Sequence, residues 1–324
     1  MFNERGGMTA VVLSCCALGA ITVGMTMTLS DTFLRDRLGF SGKAPAVPAI
    51  ATEEYGRRLI METSELLGPD VADGKLRYSG SRLNCASCHL GAGTEPGTLT
   101  LMLTTEHYPR FSARSGSKTD IEDRINECMT RSMNGRALAR TSPEMIAMAA
   151  YLRSLGGFNQ AMGATQRKAH EPAVFKTPNR AANLGGGEKV FEEHCAACHG
   201  ANGLGLRASA DPKRGYVFPP LWGPDSFNDG AGMHRVLTAA RFIKARMPLG
   251  QPDLSDEQAF DVAAFLNSQP RPEMTNLEQD YPDRKTKPVD NGYGPFADSF
   301  PLNQHRFGPF APIEAFYKQK KSSK

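Results

Sequence analysis

Apolar and polar positions along the chain fall into stretches that predict its elements. The first stretch carries no charged residue from Thr9 to Leu29 and is flanked by Arg5 before it and by Arg35 and Arg37 after it. Its twenty-one residues would make a helix of about 31 Å, close to a bilayer hydrocarbon core of about 30 Å. A secretory h-region is usually about 7–15 residues, and no small-x-small cleavage site follows this one. Residues 1–35 therefore read as a retained hydrophobic anchor helix, with a cleaved signal as the alternative. The flanking charges leave its orientation open. A Pro/Ala-rich stretch from Gly42 to Ala51 reads as a linker.

Helical periodicity begins at Thr52, with Tyr55, Leu59, Ile60, Leu66 and Leu67 on one broad apolar stripe over 52–67. Thr119-Asp120-Ile121-Glu122 forms a capping box for a helix running toward Asn134-Gly135. Ile121, Ile125 and Cys128 share its inward face at i, i+4 and i+7. Ser142-Pro143-Glu144 opens an alanine-rich helix ending in Tyr151-Leu152-Arg153-Ser154. Periodicity lapses over 158–184, which predicts an interdomain linker. It resumes with Val190 and Phe191 and continues with Met233, Val236, Leu237, Ala240 and Ile243, in a helix that must stop before Pro248. Ser255-Asp256-Glu257 opens a second alanine-rich helix ending in Phe265-Leu266-Asn267-Ser268. Residues 271–324, rich in Pro, Gly, Asp and Tyr, predict a coil extension wrapped over the domains and ending in a solvated basic tail from Lys318.

The two stretches of helix repeat. Ser142 and Ser255 are offset by 113 residues, and the closing tetrapeptides by 114. Two copies of one small helical domain with loop insertions produce such drift. A length of 324 residues agrees with two domains, the 40% apolar content excludes a mainly disordered chain, and a net charge of +4 is no nucleic-acid footprint.

The seven cysteines change the picture most. Cys15 and Cys16 read as small apolar residues of the first stretch. Four others build two Cys-x-x-Cys-His pentapeptides, Cys85, Cys88 and His89 in one half and Cys195, Cys198 and His199 in the other, offset by 110. That pattern is the attachment sequence of c-type haem: two thiols add to the vinyl groups and the adjacent imidazole ligates the iron. The immediate histidine argues against a redox dithiol, and the repeat argues against half a zinc site. The expected architecture is all-α, with two tandem class I cytochrome c domains over 50–157 and 185–270, each holding a covalent haem c. Haem c is attached outside the bacterial cytoplasm, so the domains are expected on the periplasmic side of the inner membrane, or soluble in the periplasm after cleavage.

A histidine-ligated iron takes a sixth ligand that tunes its potential. In the second half Met247, on a bend before Pro248, is the candidate, and His234 and Lys244 are weaker ones that read as exposed. In the first half Cys128 and Met133 both qualify. Cys128 follows His89 by 39 residues on the inward face, whereas repeat alignment places Met133 nine before Ser142 as Met247 lies eight before Ser255. A thiolate ligand holds the ferric form and lowers the potential; otherwise Cys128 is a buried free thiol.

The run Asn84-Cys85-Ala86-Ser87-Cys88-His89 with Ile125-Asn126-Glu127-Cys128-Met129-Thr130-Arg131-Ser132-Met133-Asn134-Gly135 resembles the dihaem thiosulfate dehydrogenases that form tetrathionate. The resemblance extends through Met247-Pro248-Leu249-Gly250 and Asp280-Tyr281-Pro282-Asp283-Arg284 to Gly308-Pro309-Phe310. It implies that Cys128 rather than Met133 is the axial ligand of the first haem. It also implies oxidation of two thiosulfates to one tetrathionate, with the second haem passing electrons to an external cytochrome or oxidase. Some members carry a lysine before the distal methionine; here that residue is Arg246, too basic to ligate iron. Thiosulfate is a dianion, and the stretch from Arg110 to Arg140 carries a net charge of +3. Arg82 and Arg131, closest in sequence to haem and thiolate, are the candidates to act with Cys128. The competing expectations are a membrane-anchored dihaem electron shuttle with no substrate of its own, and a haem subunit of a sulfur-oxidising complex.

Overall fold

A computed structural model describes residues 51–172 and 174–322. The anchor expected over residues 1–35 lies outside them, and among the described residues no helix is long and apolar enough to cross a membrane.

The apolar stripe at 52–67 forms two helices rather than one, α1 (Glu53–Met61) and α2 (Thr63–Leu67). The break has a local cause. The Thr63 hydroxyl donates to the Leu59 carbonyl at 2.6 Å and accepts from the Cys85 amide at 3.1 Å, a back-bonding pattern that bends helices. Asp120 caps α3 (Ile121–Glu127) reciprocally with Asp123, one residue later than the box read at Thr119 and Glu122. A π-helical turn, Cys128–Ser132, follows.

The first alanine-rich helix, α4 (Pro143–Ala161), overruns its expected end at Ser154. Leu155 and Asn159 are buried, Gly156 packs closely on Thr105, and Asn159 bonds Glu106, so tertiary contacts carry two more turns. A short α5 (Ala164–Ala169) occupies the stretch expected as linker.

In the second half α6 (Leu184–His194), α7 (Ala196–His199), α8 (Val236–Arg246) and α9 (Asp256–Ser268) follow in order. Helix α1 packs on α4 and α6 packs on α9, each through a glycine at the crossing. A Cβ at Gly56 would collide with the Ala147 carbonyl, and one at Gly187 with the Asp261 carbonyl. The repeat read from the two capped helices therefore extends to their packing. Each half has its own apolar core, one around Leu59, Met145 and Leu152, the other around Phe191, Phe260 and Val262.

The protein is mostly helical but not all-α. β1 (Arg110–Ser112) pairs antiparallel with β2 (Ser117–Thr119), and β3 (Leu206–Arg207) with β4 (Tyr216–Phe218). Strands of two or three residues are too short to leave an alternating signature. Nor is the C-terminal extension coil throughout. It runs as buried turns past Leu277 and Tyr281, then forms α10 (Leu302–Phe307) and α11 (Ala311–Ser322). Phe310 and Ile313 anchor this end in the second core, and Lys318, Lys320 and Lys321 fall on a helix instead of a free tail.

Candidate active site

Asn84 starts the first pentapeptide by accepting from the Ser64 amide at 2.9 Å. The chain then winds so that the His89 amide donates to the Cys85 carbonyl at 2.9 Å. His89 Nδ1 lies 2.8 Å from the Leu99 carbonyl, an acceptor only, so Nδ1 carries the proton and Nε2 keeps its lone pair. The second half repeats the arrangement: the His199 amide meets the Cys195 carbonyl at 2.9 Å, and Nδ1 lies 2.8 Å from the Pro219 carbonyl. Burial lowers the pKa of both imidazoles and so favours the neutral form that binds iron. It pushes Cys85 up to about 12 and Cys88 and Cys195 up to about 11, the direction opposite to that of an activated thiolate. Unpaired thiols beside an imidazole with a free Nε2 fit haem c in both halves.

In the first half these groups line a cavity of about 620 Å³ that also touches Cys128 and Met133. The π-helical turn explains why both candidates reach it. Widening the helix by one residue per turn carries the inward face of α3 from Cys128 to Met133, whose amide returns to the Cys128 carbonyl at 2.9 Å. They differ in surroundings. Met133 is 3% exposed within the first core, and its carbonyl accepts from the Gly80 and Ser81 amides; Cys128 is half-buried on the cavity wall.

Arg124, one turn before Cys128, lines the same cavity, and its pKa is raised chiefly by the charge of the Cys128 sulfur. Its only ion pair among the described residues is a loose 3.5 Å contact with Glu127. Arg110 and Arg114 face the cavity from the β1–β2 hairpin, and among the described residues neither is ion-paired.

The two arginines singled out from sequence stand differently. Arg82 donates to Asp70 at 2.5 and 2.9 Å and lies 3.4 Å from Asp225, away from the cavity wall. Arg131 reaches the wall but is buried, with Nη2 on Asp280 at 2.7 Å and Nη1 on the Gly230 carbonyl at 3.1 Å. Both are neutralised by the protein's own carboxylates. Arg114 belongs to the basic stretch noted in the sequence. Phe227, Met233 and Arg235 of the second half and Tyr281 of the extension also line the cavity, which no local pattern signalled.

In the second half Met247 is extended (φ −116°, ψ 143°) between α8 and Pro248 and packs on the core. Arg246 crosses to the first half, donating to the carbonyls of Glu95 and Pro96. His234 and Lys244 are not exposed as expected. His234 Nδ1 donates to the Asp229 carbonyl at 2.8 Å and its pKa is lowered to about 4, while Lys244 donates to the Leu254 carbonyl.

Comparison with known proteins gives two family matches: the SoxA/TsdA cytochrome c domain over residues 78–157 and the cbb3-type cytochrome c oxidase subunit III over residues 182–266. Thiosulfate dehydrogenase of Allochromatium vinosum is 42% identical over 222 residues, 67% of this chain and 77% of that protein. That of Stutzerimonas stutzeri is 36% identical over 274 residues, 82% and 87% respectively. That of Psychrobacter arcticus is 42% identical over 204 residues, and the match spans 61% of its length. The solved thiosulfate dehydrogenase (TsdBA) of Marichromatium purpuratum, in its as-isolated form, superposes with a TM-score of 0.62 at 30% identity, covering 81% of this chain and 53% of that one.

Proposed function

This chain belongs to the thiosulfate dehydrogenase family, and we propose that it oxidises two thiosulfates to one tetrathionate on the wall of the first-half cavity. The observation that carries this reading is the meeting of Cys128 with the Cys85, Cys88 and His89 cluster and with arginines that have no tight carboxylate partner. Two haems c, held through Cys85, Cys88 and His89 and through Cys195, Cys198 and His199, supply when bound a sink for one electron each. Cys128 would complete the ligation of the first iron and Met247 that of the second. An electron wire needs no cysteine and no uncompensated cations; a dianionic substrate needs both.

Arg114 and Arg124 draw thiosulfate in and hold its sulfonate end, the part expected from sequence of Arg82 and Arg131. The sulfane sulfur of the first thiosulfate bonds to the Cys128 sulfur, forming Cys–S–S–SO₃⁻ with loss of two electrons. A second thiosulfate attacks the sulfane sulfur of that adduct. The new S–S bond gives tetrathionate, and the broken one returns Cys128 as thiolate with no further electron change. The electrons leave through the second half to an external cytochrome or oxidase. Haem attachment and the first charge-free stretch support a site on the periplasmic side of the inner membrane.

The test is Cys128→Gly in protein shown by haem content to carry both cofactors. Thiosulfate-dependent reduction of an artificial acceptor should be abolished while reduction by dithionite is retained. Undiminished turnover in that variant would remove Cys128 from the reaction, and an inactive wild-type protein would favour the electron shuttle.

A further inference from the structure

Tyr281 sits on the cavity wall, 5% exposed, with φ +58°. A bulky side chain is a genuine outlier there, and such a residue persists only where its surroundings over-determine it. They do so here. The Tyr281 amide donates to the Arg114 carbonyl at 2.7 Å, and its own carbonyl accepts from Arg284 Nη1 at 2.9 Å. The preceding Asp280 is bound by Arg131 and by the Tyr293 hydroxyl at 2.6 Å, and the following Pro282 packs on Gly116 in the β1–β2 turn.

What the strained kink achieves is a two-point grip on one arginine. Besides the main-chain bond, the Tyr281 hydroxyl accepts from Arg114 Nε at 3.4 Å, with the guanidinium 5.8 Å from the ring centre. Arg114 stands in a hairpin turn and, left alone, would lose the rotamer freedom of a long side chain on meeting an anion. A carboxylate would fix it but cancel its charge, as Asp280 does for Arg131; a phenol fixes it and leaves the charge for the ligand.

We propose that Tyr281, supplied by the C-terminal extension, is a positioning residue that holds Arg114 ready for the sulfonate of thiosulfate. This rests on the functional reading above. The contrast with Arg131 makes it specific: one arginine is neutralised to join the halves, the other is oriented without being neutralised.

The test uses the dihaem protein with Tyr281→Gly, which keeps the left-handed backbone without strain and deletes the ring, and Tyr281→Phe, which deletes only the hydroxyl. Loss of one charge-assisted bond should raise the KM for thiosulfate about three-fold in Tyr281→Phe, and loss of the whole side chain about ten-fold in Tyr281→Gly, with kcat within about two-fold of wild type. On an Arg114→Gln background the glycine substitution should add less than about two-fold, because the group it positions is gone. Unchanged KM in both variants, or a full multiplicative effect on the Arg114→Gln background, overturns the assignment while leaving the functional reading intact. A wild-type protein that does not oxidise thiosulfate overturns both. If Tyr281→Gly loses haem, Tyr281→Phe, which retains the packing, decides alone.

Discussion

Replacing Asp280 by Asn tests whether Arg131 binds the protein or the substrate. The Arg131 and Asp280 side chains are 10% and 11% exposed and meet at 2.7 Å, and the Tyr293 hydroxyl donates to the other Asp280 oxygen. Removing one partner of a buried pair costs about 3–5 kcal/mol, because the survivor remains desolvated and uncompensated. Asparagine keeps an oxygen for Arg131 and loses only the charge, which sets the expected cost at the low end, about 2–3 kcal/mol. In urea denaturation of the dihaem protein followed by far-UV circular dichroism, with an m-value of about 3 kcal/mol/M, the midpoint should fall by about 0.7–1 M. The double variant Arg131→Met with Asp280→Leu removes both charges and should be more stable than the sum of the single losses by about 2 kcal/mol. If Arg131 served the substrate instead, freeing it from Asp280 would barely alter stability. A loss below about 0.5 kcal/mol in Asp280→Asn, or simple additivity in the double variant, refutes the clasp.

Two further outcomes follow from the geometry. Burial, reinforced by the charge of Arg271, lowers His234 from its ordinary value to about 4, so the native protein holds it neutral while the unfolded chain protonates it first. That contribution is complete above about pH 6.5 and is lost as the pH falls toward 4, by at most about 3 kcal/mol; His234→Gln should flatten denaturation midpoints over this window, and an unchanged slope rejects the assignment. A Cβ at Gly56 would meet backbone of α4, so Gly56→Ala should force α1 and α4 apart and cost about 2 kcal/mol or more, read as a lowered Tm with the second half's haem spectrum preserved; a Tm within about 1 °C of wild type argues against the close crossing.

What the sequence disclosed and what it hid have physical reasons. The bend at Met247 was readable because Pro248 bars its neighbour from helical dihedrals, and the structure has the backbone extended there. The paired histidine shells follow from two local motifs and repeat bond for bond at Leu99 and Pro219. Spacing left Cys128 and Met133 equal because a π-helical turn brings both to one cavity. Arg131 looked available because the carboxylate that neutralises it, Asp280, lies 149 residues away along the chain, and Arg82 because Asp70, 12 residues off in a loop, and Asp225, 143 residues off, share no periodicity with it. Arg114 looked ordinary for the converse reason: like Arg110 it has no carboxylate partner among the described residues, and what sets it apart is the remote tyrosine that meets it. The overrun of α4 likewise depends on Thr105 and Glu106, which no periodicity in 155–161 announces.

The presence of Phe227, Met233, Arg235 and Tyr281 around the first cavity has a bearing on ancestry. Two copies of a duplicated unit ordinarily stay interchangeable, free to be shuffled or parted by recombination. Here one half and the trailing peptide supply part of the wall of the other's cavity, so a chain severed between them would leave that cavity open on one side.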